Sequence, residues 1–381
     1  MKRIIVGIAS AIIVLAAGYI TFAIIKANDT SSDVTTVQEP STPELSANKL
    51  IGGLDHVWDI GFLPDRTLIF SERSGTISKL IDGRKVAIEN PDDVEPGGEG
   101  GLMGIAVDPD FNDSRYVFAC FNSTRGDIRV ARWAVDQAVE GLTNRTDIIT
   151  GIPSATSGRH SGCQLEFGPD NNLWVATGDA ADESQPQDRS TLGGKILRVD
   201  RDGKAAADNV DGPDKRVYSY GHRNSQGLAL YAKKQGDSFG VSVEHGPSRD
   251  DEINQLQPGN FGWAPGASYD ENVSMTDVRR FPDAIESVWS SGDTTIAPSG
   301  ATFLSGEKWG RLNGWLAVSV LKGQKLMLLN IANGAVDGTR TLFEGEYGRL
   351  RAAVLGSDGS LYVSTDNGGD DSILKISPNG N

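Results

Sequence analysis

From residue 49 onward the apolar positions fall in short runs, rich in β-branched and aromatic residues and cut by Gly, Asp, Asn and Pro. No long 3.6-residue period runs through this region, so the pattern predicts strands and turns rather than helices. One phrase recurs: a strand, a Pro-Asp or Ser-Asp turn, and a second strand. It spans Trp58–Phe70, Gly104–Phe118, Gln164–Val175 and Ala352–Val363, with weaker copies at Gly227–Val243 and Ser299–Val318. Six copies leave ~55 residues for each, about the length of a four-stranded antiparallel sheet. One such sheet cannot bury both faces, but a ring of them can. The expected fold class is therefore all-β, a six-bladed β-propeller of four-stranded antiparallel blades. Two stacked β-sandwiches are the alternative, which the shared turn phrase disfavours. The segment Leu45–Gly53, just ahead of the first blade, is positioned to supply an outer strand that closes the ring.

Ahead of this region Lys2 and Arg3 precede an uncharged stretch from Ile4 to Ile25, closed by Lys26. At 1.5 Å per residue that stretch reaches ~33 Å, enough to span a bilayer. It is longer than the ~7–15 apolar residues of a signal peptide, and Ile25-Lys26-Ala27 makes a poor cleavage site. Residues 1–26 are therefore expected to form an uncleaved membrane anchor, with a cleaved signal as the alternative. Positive charge before the span orients the rest of the chain out of the cytoplasm, in the periplasm or at the cell surface, or secreted if the segment is cleaved. Residues 27–48, rich in Ser, Thr, Asp, Glu and Pro, read as a disordered tether, and residues 49–381 as the propeller domain.

Composition adds three constraints. Glycine supplies 46 of 381 residues, well above the usual ~7%, as a turn-rich fold demands. The net charge of −15 repels phosphates and argues against a nucleic-acid partner. Cys120 and Cys163 are the only cysteines, which excludes a disulfide-dense scaffold and a four-cysteine zinc site. Their apolar surroundings favour two buried free thiols over one disulfide.

Chemistry is expected in the loops, because a propeller axis gathers loops from every blade. Of the four histidines, His56, His160, His222 and His245, no pair has the i,i+4 spacing of a helical metal site. Taken singly, each is more often structural than catalytic. His160 differs by its setting, Ser157-Gly-Arg-His-Ser-Gly162, a glycine-flanked loop before a strand that suits a general base. The cluster Tyr220–Gly227 offers the Arg223 fork and the Asn224 amide to an anion, or is a decorated turn. Four carboxylates crowd Glu244–Asn254, and they repel one another unless water or a hard cation such as calcium screens them. Arg349 and Arg351 alternate in the strand period and so point the same way. With Lys322 they make a candidate cationic wall.

Taken together, these phrases resemble the soluble pyrroloquinoline quinone (PQQ)-dependent glucose/sorbosone dehydrogenase family, and more closely its aldose sugar dehydrogenase branch. The resemblance covers roughly residues 50–378. It rests on Gly98–Gly104, Gly158-Arg-His160, Gly194–Arg198, Gly221–Gly227, Glu244-His-Gly-Pro247, Asp251–Asn254, Phe261-Gly-Trp263, Ala297–Gly300 and Gly348–Arg351. It implies a six-bladed propeller, agreeing with the repeat count, and oxidation of an aldose at its anomeric carbon. By the same resemblance His160 is the base that takes the sugar hydroxyl proton. Arg223 and Asn224 contact PQQ near its reacting carbonyl, and Lys322, Arg349 and Arg351 hold its carboxylates. Carbonyls of Gly246 and Pro247 ligate a calcium ion under the cofactor, and Glu252 and Phe261 a second, structural calcium. The chain departs from the family pattern at Glu99, where many members place a PQQ-contacting Gln, and at Cys163, where Gly is common. The Glu252-to-Phe261 interval is one residue short, and Phe261 stands where Tyr is usual. The implied partners are an aldose and an electron acceptor of unspecified identity, with membrane contact through the N-terminal helix alone. Two other functions fit a propeller: a non-catalytic sugar- or protein-binding module, and a calcium-dependent lactonase.

Overall fold

The recurring Asp phrase folds as one turn, used repeatedly. Asp65 Oδ1 accepts the N–H of Thr67 at 2.9 Å, Asp170 Oδ1 that of Asn172 at 3.2 Å, and Asp358 Oδ1 that of Ser360 at 2.9 Å. Each side chain imitates a backbone turn and sends the chain back antiparallel. The structure is a computed structural model describing residues 41–232 and 238–379. Six sheets result. Blade 1 is Val57–Phe62, Leu68–Glu72, Thr76–Ile81 and Arg84–Glu89. Blade 2 is Leu102–Val107, Tyr116–Asn122, Asp127–Val135 and Leu142–Pro153. Blade 3 is Gly162–Phe167, Leu173–Thr177, Lys195–Val199 and Val217–Tyr220. Blade 4 is Ser225–Ala232, Ser238–Glu244, Glu252–Gln255 and Trp289–Ser290. Blade 5 is Pro298–Phe303, Leu316–Val320, Lys325–Ala332 and Ala335–Leu342. Blade 6 is Leu350–Leu355, Leu361–Thr365 and Asp371–Pro378.

Leu45–Leu54 completes blade 6, pairing with Asp371–Pro378 from Leu45 opposite Pro378 to Leu54 opposite Asp371. The ring is thus closed by an N-terminal strand, and that strand begins inside the stretch read as tether. Each blade's first strand touches the first strands of its two neighbours all the way round, which makes the arrangement a six-bladed propeller. Between blades the apolar faces interlock. Phe118 of blade 2 meets Phe167 of blade 3 edge-on at 5.2 Å, in one cluster with Leu165, Val175 and Leu197. Burying one such side chain is worth ~1.5–3 kcal/mol.

Cys120 and Cys163 correct the reading of two free thiols: they form a disulfide, with Cα atoms 6.2 Å apart. The two cysteines are 43 positions apart in sequence, and the chain between them folds out and back through the outer strands of blade 2. This returns the first strand of blade 3 to the second strand of blade 2, a proximity that sequence distance hides.

Two features bear on the site. Gly259–Asn260 pairs in parallel with Val217–Tyr220, giving blade 3 a fifth strand. It belongs to a long excursion between the last two strands of blade 4, which crosses back over blade 3. Helix is scarce: among the described residues the named helices are Phe111–Ser114 and the 3₁₀ segment Glu307–Leu312. No described helix is long and apolar enough to cross a membrane. The anchor expected at residues 4–25 and most of the tether lie outside the described residues.

Candidate active site

Loops entering a blade's first strand and leaving its second meet at the same end of the propeller. In blade 3 this brings His160, just before Gly162–Phe167, to Asp179, just after Leu173–Thr177. His160 Nδ1 lies 2.8 Å from Asp179 Oδ1, and both side chains are buried. The other carboxylate oxygen of Asp179 accepts the Trp263 indole N–H at 2.9 Å and the Tyr269 hydroxyl at 2.6 Å. Burial, then the charge of Asp179, pushes the Tyr269 phenol upward, so it stays a donor. With every other contact to Asp179 a donor, Nδ1 of His160 carries the proton that faces it. Nε2 is left with a lone pair. The loop after Asp179 is pinned by the buried Lys195, whose Nζ donates to the carbonyl of Gln185 at 2.6 Å.

His160 lines a cleft of about 250 Å³ together with Glu99, Arg159, Arg223, Asn224, His245, Gly246 and Pro247. The Glu99 loop packs against the His160 loop backbone to backbone. A Cβ on Gly158 would fall 1.8 Å from the carbonyl oxygen of Gly97, so only glycine allows this approach. Glu99 Oε2 accepts the amides of Asn224 at 2.8 Å and Gln226 at 2.7 Å. Burial opposes its ionisation, but the imidazoles of His245 and His160, the Asn224 amide and Arg351 outweigh that and hold the carboxyl below its usual range. Glu99 therefore faces the cleft as an anion, tied by two amide donors.

Arg223 is buried, its Nη1 donating to the His245 carbonyl at 2.8 Å. Its Nε and Nη2 reach Glu271 Oε1 at 3.0 and 2.5 Å. Arg159 Nη2 holds the second oxygen of the same carboxylate at 2.7 Å. Arg349, just ahead of the strand Leu350–Leu355, and Arg351 within it converge on one carboxylate: Arg349 Nη2 and Arg351 Nε lie 3.5 and 3.4 Å from Asp366 Oδ2. Arg351 is buried and also donates to Gln226 Oε1 at 2.7 Å, which joins it to the Glu99 layer. Lys322 is exposed, its Nζ donating to Thr295 Oγ1 at 2.8 Å. Thr295 lines the cleft, so Lys322 stands at its rim.

The residues expected to hold metal separate into two places. Gly246 and Pro247 line the cleft, in a loop organised by Asp251. That carboxylate accepts the N–H of Gly246 at 2.8 Å and of Ala297 at 2.8 Å. Beside Gly246 the carbonyls of Arg249 and Asp250 come so close that a Cβ would meet them at 1.9 and 2.6 Å. Glu252 lies deeper, pushed up to about 8 by burial and then by Glu244. Its neighbour Asn254 Oδ1 is buried without a hydrogen-bond partner. Phe261 stacks on His222 at 4.5 Å, so any ligand atom it offers is its main-chain carbonyl. Thr276 links the two, donating to Glu252 Oε1 at 3.3 Å while Asp277 N–H reaches the Gly262 carbonyl. Hard oxygen donors and an orphaned buried carbonyl suit calcium. The arginines, with Lys322 at the rim, suit a ligand bearing several carboxylates.

Sequence reasoning missed Asp179, Trp263, Tyr269, Glu271 and Arg159 as site residues. Asp179 directly follows a strand, which is a weak signal. Trp263, Tyr269 and Glu271 ride on the excursion from blade 4 and reach blade 3 only through the fold.

The glucose/sorbosone dehydrogenase family profile matches residues 54–375. Among characterised relatives, aldose sugar dehydrogenase YliI of Escherichia coli is 29% identical, the match covering 85% of this chain and 91% of that protein. An uncharacterised protein of Synechocystis is 31% identical, covering 89% of each chain. The PQQ-bound aldose sugar dehydrogenase of Streptomyces coelicolor superposes with a TM-score of 0.74 at 33% identity, covering 89% of this chain and 99% of that one. With a family match running across all six blades and a buried His–Asp pair at the mouth of their ring, this chain belongs to the glucose/sorbosone dehydrogenase family and is a sugar oxidoreductase.

Proposed function

We propose that the chain oxidises an aldose at its anomeric carbon to the lactone, using PQQ and calcium, with His160 as general base. The observation that carries this reading is the His160–Asp179 contact at 2.8 Å. It supports the tautomer with its proton on Nδ1, which leaves a lone pair on Nε2 of a residue that lines the cleft. When bound, PQQ would supply the two-electron acceptor and calcium the Lewis acid that polarises it. Nε2 of His160 takes the proton of the anomeric hydroxyl as the hydride leaves the same carbon. Asp179 stabilises the imidazolium so formed, and Tyr269 and Trp263 hold Asp179 in place. Arg223 and Asn224 would contact the cofactor near its reacting carbonyl, and Lys322, Arg349 and Arg351 would hold its carboxylates. Gly246 and Pro247 carbonyls would hold the calcium beside it, and Glu252 with the Phe261 carbonyl the structural one.

The reading includes an extracytoplasmic location, tethered by residues 4–25. The basic residues before that stretch support it, as does the Cys120–Cys163 disulfide, a bond that persists in oxidising compartments. Recovery of the full-length chain in a soluble extracellular fraction would overturn the tether. The chemistry is tested by adding aldose anaerobically to protein loaded with PQQ and calcium. Cofactor reduction is expected, slowed ~10²–10⁴-fold in His160→Gln at unchanged PQQ affinity. Sugar oxidation without PQQ, lactone hydrolysis instead, or an equally fast variant would overturn the proposal.

A further inference from the structure

A second cavity lies on the propeller axis, beyond the cleft. It measures about 230 Å³ and is lined from all six blades. The first strands run away from the His160 end, so the two spaces stack along them. Arg351 and Gln226 belong to the polar layer under the cleft. Ala353 and Leu228, two residues further along the same strands, line the cavity. One side-chain layer of ~7 Å divides the two. Phe62, Glu166 and Phe167, toward the Asp-turn face, keep partial exposure, which connects the cavity to solvent.

Its chemistry is one-sided. The walls are apolar, with Ile60, Phe62, Val107 and Phe167 among them, and among the described residues no Lys, Arg or His lines it. The charged groups facing it are two acids, Asp59 and Glu166. Asp59 Oδ2 accepts the N–H of Ile105 at 3.0 Å and the Gln164 amide at 2.8 Å. Glu166 Oε1 accepts the N–H of Leu230 at 3.3 Å. Burial pushes Asp59 up to about 7, and burial followed by the Asp59 charge pushes Glu166 well above its ordinary value. The cation acting on Asp59 is Arg351, which is committed to Gln226 and Asp366. Two acids in an apolar, solvent-connected space, with no cation lining it among the described residues, call for a ligand that brings both positive charge and hydrocarbon.

We propose that the axial cavity binds a small organic ammonium ion, its N–H groups on Glu166 and Asp59 and its apolar stem between Phe62 and Phe167. The aromatic rings add cation–π attraction to charge-assisted hydrogen bonds. Occupancy ionises Asp59, which adds a negative charge facing Arg351 and so reaches the cation set of the cleft above. The site does not depend on the sugar reaction.

The test is calorimetric titration of the folded chain with n-butylammonium, at pH 8 and pH 6 and constant ionic strength. Saturable one-to-one binding is expected, stronger at pH 8, because the acids must ionise to receive the cation. Glu166→Gln, which keeps shape and the acceptor for Leu230, should weaken binding at least about tenfold. Asp59→Asn should do the same, and the Gln variant covers the case in which it fails to fold. 1-Butanol, with the same stem and no charge, should not bind. Absence of saturable binding, equal binding by butanol, or binding untouched by Glu166→Gln would overturn the proposal. Potassium displacing the amine from the same site would overturn its organic class.

Discussion

Asp179 Oδ1 stands 2.8 Å from His160 Nδ1, the histidine entering the first strand of blade 3 and the aspartate following its second. The carboxylate accepts the imidazole proton on one oxygen and two further donors on the other. An amide in its place presents an N–H₂ to one of these sides and breaks the set. Asp179→Asn is therefore expected to lower the first-order rate of cofactor reduction ~10²–10⁴-fold, with PQQ affinity unchanged. Stopped-flow absorbance of the loaded protein separates the two. Wild-type reduction in the variant would show that the tautomer is set by something else.

Glu271 bridges Arg223 and Arg159. Burial opposes its ionisation, but the two guanidiniums outweigh that and hold its carboxyl below the usual range. Glu271→Gln keeps the size and removes the charge that aims Arg223. The expected result is a kcat about tenfold lower, the scale of one charge-assisted hydrogen bond of ~1.5–3 kcal/mol lost in part. PQQ affinity should hold or tighten, because an anion leaves the neighbourhood of a polyanion. Cofactor titration alongside steady-state kinetics checks the split; weaker PQQ binding would contradict it.

What could be read early was local. The Asp65, Asp170 and Asp358 turns close on N–H groups two residues away, so sequence spacing alone exposes them and with them the blade count. His160 is legible through its flanking glycines, and Arg349 with Arg351 as neighbouring cations, although they meet on Asp366 across a strand irregularity rather than by a regular period of two. What could not be read depends on closure of the ring. Tyr269 lies 109 residues from His160 and meets it at 3.0 Å, because the blade 4 excursion folds back over blade 3. The Cys120–Cys163 pair needs two blades in register before its atoms meet. Asp59 and Glu166 sit in ordinary strand positions, and the axis alone gives them a shared cavity.

Closing a 43-residue loop by a covalent bond removes unfolded-chain entropy worth about 4 kcal/mol in the chain-entropy view. Cys120→Ser with Cys163→Ser should lower unfolding stability by up to that amount, read as the midpoint of urea denaturation. Reductant should move the wild-type midpoint toward the variant's and leave the variant's unmoved. A reductant-insensitive wild type would argue that the thiols are not paired in the isolated protein.

Glu252 and the orphaned Asn254 Oδ1 make a buried oxygen site that a divalent cation would satisfy. An ion that binds only the folded state stabilises it by about 2.7 kcal/mol at a hundredfold excess over its Kd. Calcium added after chelation should raise Tm in the wild type, and the response should shrink in Glu252→Gln. Calorimetric scans with calcium, magnesium and chelator make the comparison. Equal responses in both proteins would move the structural calcium elsewhere.

Asp59 gives the stability curve a sign that can be measured. In the folded chain burial keeps its proton up to about 7, whereas its ordinary value is 3.8. Between those two values the native state holds a proton that the unfolded chain has released. The associated stability is fully present below 3.8 and is lost as pH rises to about 7. The displacement corresponds to at most about 4 kcal/mol. Glu166 acts in the same direction, so the wild-type slope alone does not isolate Asp59. Asp59→Asn is neutral at every pH and keeps a carbonyl to accept from Ile105 or Gln164. Its stability relative to wild type should therefore rise steadily from pH 4 to pH 7.5, even if the variant is the weaker protein at pH 4. Urea denaturation of both proteins across that range, at constant ionic strength, reads the difference directly. Parallel curves would mean that Asp59 is already ionised in the folded chain at the acid end, which a carboxyl in this cavity has little reason to be.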